Sequence, residues 1–233
     1  MSTVWLSLQT IKLTAAESVI EARQWYGQKM CETTVDNLRK NGFDAFYVPT
    51  KEEAFKKALE MIPVTARIGL PGSITIREMG LAKALKERGN PVADHTEPNL
   101  TKEEVQKARI SQLTSDVLLS SSNAVTMDGK LLNADGAGNR VAAMIFGPRK
   151  VIIVAGTNKI VKDAHEGLMR IRDVAAPMNS KRLGSKCPCG LTGTCDEDQC
   201  ESPERQCNII TILERRPRLT DMTIILVGET LGY

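Results

Sequence analysis

Several things are scarce in this 233-residue chain, and each scarcity excludes something. Aromatic residues make up 4% of it and the net charge is only +3, with acids and bases interspersed. A basic stripe studded with aromatics is therefore missing, and no nucleic-acid partner is expected. No apolar run approaches the roughly 20 residues of a membrane helix. The start, Met1-Ser-Thr-Val-Trp-Leu, lacks the basic stretch and apolar core of a secretory signal. No membrane partner and a soluble, cytoplasmic location follow as expectations. The chain has two histidines, His95 and His165, with no serine or cysteine pattern beside them, so a nucleophile triad is not expected. Each is read as structural or exposed. The G-x-G-x-x-G fingerprint of a dinucleotide fold is absent too.

What the chain does contain is an ordinary globular balance, 42% apolar and 25% charged, enough for a sizeable core. From residue 43 to about 175, strand-like and helix-like segments alternate with short connections. That pattern predicts an α/β fold with a mostly parallel sheet flanked by helices. Helical spacing runs from about Ala15 to Asn41 (Val19, Ala22, Tyr26, Met30, Val35, Leu38). Cys31 on this helix reads as a small buried apolar residue. Further helices are expected over Ile74–Arg88, from Asn99 to about Leu113, and from Gly156-Thr157-Asn158 to about Val174. Asp128-Gly129 marks a hairpin within Ala124–Asn133. Lys150–Ala155 reads as the most buried strand, while Ile209–Leu213 and Thr223–Val227 read as closing strands. No linker divides the chain, so one domain is expected over 1–233. Residues 1–42 form its N-terminal helical appendage and 180–208 a cysteine-rich insertion.

Ligands of open α/β sheets bind where strands end and loops splay apart, and three loops have suitable composition. In Gly69-Leu-Pro-Gly-Ser-Ile-Thr-Ile-Arg-Glu78, Gly72 permits close backbone approach and Ser73 can cap a helix, with Thr75 beside it. Glu78, one turn on, is placed to act as acid, base or nucleophile. A plain turn and cap, with Glu78 a solvated surface acid, accounts for the same residues. In Asn133-Ala-Asp-Gly-Ala-Gly-Asn-Arg140, backbone amides at Gly136 and Gly138 join Asp135, Asn139 and Arg140 in a setting suited to a small anion. An ordinary turn with an Asp135–Arg140 salt bridge fits equally. The third element unites Ser121-Ser122-Asn123, Asp128 and Gly156-Thr-Asn158-Lys159, where Lys159 is either a ligand clamp or a surface lysine.

The most uneven feature is cysteine. Five of six, Cys187, Cys189, Cys195, Cys200 and Cys207, fall within one short stretch. The spacing C-x-C-x5-C-x4-C-x6-C lacks the paired C-x2-C knuckles usual for zinc. It also differs from the compact ferredoxin run. Thiols clustered among Gly and Pro suit one loop wrapping a common centre. An iron–sulfur cluster leads this reading, ahead of structural zinc and of redox disulfides, and reduced thiols fit the cytoplasm.

Several long stretches resemble the LUD-domain (lactate-utilization, LutC/YkgG-like) family. They are Gly72-Ser-Ile-Thr-Ile-Arg-Glu-Met-Gly80, Ser122-Asn-Ala-Val-Thr-Met-Asp-Gly129, Asn133-Ala-Asp-Gly-Ala-Gly-Asn-Arg-Val-Ala-Ala143 and Phe146-Gly-Pro-Arg-Lys-Val-Ile-Ile-Val-Ala-Gly156. Asn158-Lys-Ile-Val-Lys162, Arg172-Asp-Val-Ala-Ala-Pro-Met-Asn179 and Cys200-Glu-Ser-Pro-Glu-Arg-Gln-Cys-Asn-Ile-Ile210 complete the set. The resemblance implies a fold like that of the NagB/RpiA/CoA-transferase group and a link to oxidation of lactate or a related 2-hydroxy acid. It points to the branch with a C-terminal cysteine cluster. It implies a 4Fe-4S cluster on Cys189, Cys195, Cys200 and Cys207, with Cys187 additional, and zinc as the alternative. A small carboxylate or other anion, a redox partner subunit and a homodimer are the partners it suggests. An oxidoreductase component is the activity implied. A non-catalytic binding protein and a CoA-transferase- or isomerase-like enzyme using Glu78 are the competing classes.

Overall fold

A computed structural model describes residues 15–196 and 200–233. Its main sheet has six strands, β1 (Asp44–Val48), β2 (Ile68–Leu70), β3 (Val92–Asp94), β4 (Val117–Ser120), β7 (Lys150–Gly156) and β10 (Asp221–Val227). All pair in parallel, in the order β1-β10-β7-β4-β2-β3. Sheets of this kind are covered on both faces, so their central strands read as continuous apolar runs. β7 shows the consequence residue by residue. Val151, Ile153 and Ala155 join Cys31, Leu38 and Met144 in one core. Ile152 and Val154, pointing the other way, join Ala54, Leu81 and Leu85 in a second. The period-two alternation of a strand thus divides one apolar run between two helical layers.

Helix α1 (Ala15–Lys40) supplies Cys31, Val35 and Leu38 to the first core, and Cys31 is fully buried. Its first half stands clear of the body, leaving Val19, Ile20, Trp25 and Tyr26 exposed. Helix α2 (Lys51–Glu60), capped by Thr50, covers the opposite face together with the helices after β2.

The single helix expected over Ile74–Arg88 is two, α3 (Ile74–Glu78) and α4 (Leu81–Glu87). Gly80 adopts φ 74 between them, a left-handed geometry that glycine enters without a Cβ penalty and that ends the helical path. Helix α5 (Lys102–Leu113) is capped at Thr101, two residues past the expected Asn99, and Thr101 forms a capping box with Glu104.

The helix expected from Gly156 begins later. Thr157–Lys159 is a 3-10 turn, and Ile160–Val161 is the short strand β8. Helix α7 (Ala164–Arg170) starts only after Asp163, whose carboxylate accepts from Glu166 N–H at 3.0 Å. It continues through a π-helical turn, Ile171–Ala175, into α8 (Ala176–Leu183). Pro177 has no N–H for the α-helical ladder, and Ala176 N–H bonds to Ile171 O, five residues back.

A second, smaller sheet was not foreseen. It runs β8-β5-β6-β9, where β5 is Ala124–Thr126, β6 is Leu131–Asp135 and β9 is Ile209–Leu213. The Asp128-Gly129 turn joins β5 and β6 in an antiparallel pair, Ala124 opposite Leu132. Only β10 of the two closing strands enters the main sheet. β9 lies antiparallel on β6, with Leu213 opposite Leu131 and Ile209 opposite Asp135. This pairing carries the end of the cysteine segment to the glycine-rich loop that follows β6. That loop leads into helix α6 (Asn139–Ile145).

Candidate functional site

Four adjacent strands of the main sheet, β3, β2, β4 and β7, end at the same edge, and their following loops enclose a cleft of about 560 Å³. Gly72, Ser73 and Thr75 come from the loop and first turn after β2. His95 follows β3, Ser121 and Asn123 follow β4, and Lys159 closes the turn after β7. Asp135, Gly136, Asn139 and Arg140 enter from the second sheet and the start of α6. Asp128, Gly138, Asn158 and Glu78, expected here, stand outside the lining instead, Asp128 in the turn between Ala124–Thr126 and Leu131–Asp135. Gly138 backs onto Ile209. Asn158 holds the segment Leu231–Gly232, accepting from Leu231 N–H and donating to Gly232 O. Glu78 is exposed and accepts from Gly232 N–H at 2.6 Å.

Arg140 uses every donor it has within the protein. Nε donates to Asp135 Oδ1, Nη1 to Ser121 O and Asn133 Oδ1, and Nη2 to Asn123 Oδ1 and Ala134 O, all within 2.7–3.0 Å. A guanidinium has five N–H groups, so none remains for a ligand. Asp135 is committed as well, its second oxygen accepting from Val141 N–H at 3.0 Å. The pair ties β4, β6 and α6 together, and because its two charges offset one another the cleft's pull on an anion falls to other side chains. Helices α3 and α6 are short, five and seven residues, so the cleft's pull on anions rests on side chains more than on helix dipoles.

Lys159 is 4% exposed. Its Nζ donates to Thr75 Oγ1 at 2.9 Å and Ser121 Oγ at 3.0 Å, and no carboxylate lies within ion-pair range among the described residues. Burial, reinforced by Arg170 and Arg140 and opposed by Glu78, pushes its amine down to about 7.

Across the cleft, His95 is fixed by a residue that carries no sequence signal of its own. The buried Gln112 donates through Nε2 to Leu70 O (3.0 Å) and Ala93 O (3.2 Å), and accepts at Oε1 from Asn139 Nδ2 (3.1 Å). Those partners set the amide's orientation, so Nε2, whose two N–H groups are shared among Leu70 O, Ala93 O and His95 Nδ1, faces that ring nitrogen at 2.9 Å from the donor side. The ring proton is thereby assigned to His95 Nε2, on the side of Gly72. Burial and the neighbouring Arg109 push His95 below the usual histidine range. Arg109 also lines the cleft, and its Nε is buried with no hydrogen-bond partner among the described residues. Arg182, Tyr233 and Gln206 complete that wall. His95, Arg109, Arg182, Gln206 and Tyr233 are among the cleft residues that sequence reasoning missed. A lone histidine and scattered helical arginines have no spacing that sets them apart.

Beside the cleft lies a second, narrow pocket lined by Cys187, Cys189, Cys195, Cys200 and Cys207 together. None of the five is in a disulfide among the described residues. Cys187 and Cys189 are both buried, the first at the N-cap of the short helix α9 (Pro188–Thr192) and the second within it. Ser185 Oγ donates to Cys187 Sγ at 3.0 Å, and Arg205 Nε to Cys207 Sγ at 3.4 Å. Proximity to Cys207, Cys200 and Cys195 raises the Arg205 guanidinium above its ordinary range. As a donor set, these thiols suit a thiolate-bound cluster or ion, with a cation and hydroxyls supporting them. Free space between them is about 10 Å³, about one water's room. No group of three or more His, Cys, Asp or Glu among the described residues is arranged to hold a single metal ion.

The two pockets share a wall. Gln206 lines both. Asn208 Nδ2 donates to Gly136 O (3.3 Å) and to Arg205 O (3.2 Å). A Cβ at Gly136 would stand 3.0 Å from Arg205 O, so the glycine is what lets cleft loop and cysteine loop touch. Helix α8 contributes Ser180 to one pocket and Asn179 and Arg182 to the other.

Fold and site define an α/β protein with a cationic cleft at the carboxyl ends of parallel strands and a thiol-lined pocket against it. The LUD domain family model matches residues 31–227, and the chain belongs to that family. Among solved structures it is similar to one described as a DUF162 family protein from Deinococcus radiodurans. The TM-score is 0.51 and the identity 15%, over 86% of this chain and 97% of that one. At that identity the likeness bears on the fold alone. A search of curated proteins gives no match. No helix among the described residues is long and apolar enough to cross a membrane.

Proposed function

We propose that this LUD-domain chain is a redox protein of 2-hydroxy acid metabolism, in which a thiolate-held iron–sulfur cluster adjoins a cleft for a small carboxylate such as lactate. The observation that carries the reading is the shared wall: five cysteines converge on one pocket, and Gln206 faces both that pocket and the cationic cleft. Cys189, Cys195, Cys200 and Cys207 would hold the cluster, with Cys187 a fifth thiol on the same pocket. When bound, such a cluster supplies one-electron transfer. Arg205 would hold charge beside Cys207, and Ser185 would fix Cys187. In the cleft, Lys159, Arg109 and His95 Nε2–H are the groups that face a carboxylate. Electrons would pass to a redox partner subunit, and thiols held outside any disulfide fit a reducing, cytoplasmic setting.

Iron and acid-labile sulfide analysis of anaerobically purified protein tests this reading. About four of each per chain are expected, falling sharply in Cys200→Ser and Cys207→Ser. A second reading is an accessory binding protein with structural zinc, whose size suits the small space among the thiols although no three ligands among the described residues are grouped around one ion. A tetrahedral Zn–S distance of about 2.3 Å sets sulfurs only about 3.8 Å apart. One zinc per chain with no iron, and unfolding on chelation, would establish it instead.

A further inference from the structure

We propose that Lys159 is a covalent site, its Nζ forming an imine with the carbonyl of a 2-oxo acid bound in the cleft. The inference rests on the anion reading of the cleft and names what the cleft does with its ligand. Four features of the site support it. First, Nζ ends the turn after β7 and faces the cleft while 4% exposed, so its amine is held in one place. Second, its hydrogen-bond partners are two hydroxyls, Thr75 Oγ1 and Ser121 Oγ, rather than a carboxylate. A lysine placed for structure is ordinarily buried with an acid.

Third, the charged groups around it favour the neutral amine. Arg140 and Arg170 face it from α6 and α7, each already bonded to protein acceptors, and Glu78 on α3 opposes them weakly with its carboxylate turned to Gly232 N–H. Burial first, and that arrangement after it, bring the amine down to about 7, and an unprotonated amine is the nucleophile. Fourth, the cleft's remaining polar groups choose the carbonyl. Arg109 Nε is without a partner among the described residues, and the Gln112 amide facing His95 Nδ1 assigns the ring proton to Nε2. A carbonyl compound held there should carry an anionic group, and a 2-oxo acid places its carboxylate next to the reacting carbon.

The step balances without an added oxidant or reductant. The Nζ lone pair attacks C2, and the carbonyl oxygen takes a proton. The resulting carbinolamine loses that oxygen as water, the second amine proton leaving through the Thr75 and Ser121 hydroxyls, to give the Nζ=C2 imine. Water reverses it.

Incubation of the intact protein with pyruvate and sodium cyanoborohydride, followed by peptide mass mapping, tests the proposal. One reduced pyruvyl group per chain is expected, on Lys159, with the trapping rate rising several-fold as pH climbs through about 7. Acetone, which lacks the carboxylate, should label at least tenfold more slowly. Lys159→Arg should lose the adduct, and the wild-type map stands alone should that variant fail to fold. Label scattered over surface lysines, or no adduct, overturns the proposal. Calorimetric binding of pyruvate without an adduct would do so while leaving the anion reading intact, whereas absence of both removes the two together.

Discussion

Arg140 and Lys159 are cations of one cleft, yet the protein treats them in opposite ways. Arg140 is saturated by acceptors and paired with Asp135, their side chains 13% and 8% exposed. Lys159 meets only hydroxyls. Truncating Arg140 to Ala would leave a buried carboxylate and several carbonyls unpaired, a loss of about 3–5 kcal/mol. Lysine in its place should recover little of this, because it lacks the planar fork that reaches five acceptors. Urea unfolding of both variants at neutral pH measures the difference. Asp135 and Arg140 were legible in the sequence because they share one short glycine-rich loop. His95, Arg109 and Gln112 were not, since their meeting depends on the carboxyl end of β3 lying beside α5.

Among the elements, the parallel sheet followed from alternating apolar runs and short connections, and β7 with its divided faces is where that reasoning was strongest. The breaks were harder to see. Gly80 interrupts a helix whose apolar spacing continues on both sides. The 3-10 turn at Thr157–Lys159 delays α7 through backbone geometry, and that delay is what turns Lys159 into the cleft. β9 has the composition of any buried strand, so its place on β6 could not be told from a place in the main sheet. Its consequence is the contact between Gly136 and the cysteine loop. Gly136→Val should push Arg205 and Gln206 outward. We expect reduced iron per anaerobically purified chain together with weaker pyruvate binding. Gly80→Ala is the control. Its two chain neighbours aside, no heavy atom of the described residues lies within 4 Å of its Cβ position, so it should lower stability by about 1–2 kcal/mol through backbone strain while leaving iron content unchanged.

For the whole molecule, the cysteine segment is a wall of the cleft rather than a remote staple. Clustering of the cysteines was plain in the sequence. That Cys187 shares the pocket with the other four was not, because ligand spacing alone says nothing about which thiols a loop turns inward. On the proposed reading, ligand binding in the cleft and the state of the cysteine pocket should depend on each other through that wall. The most direct test is the electron paramagnetic resonance spectrum of the anaerobically purified, dithionite-reduced protein, recorded with and without lactate or pyruvate. A reduced-cluster signal whose line shape changes when the acid is added is the expected result. No cluster signal, with zinc as the metal recovered, or a signal indifferent to both acids, would contradict the account.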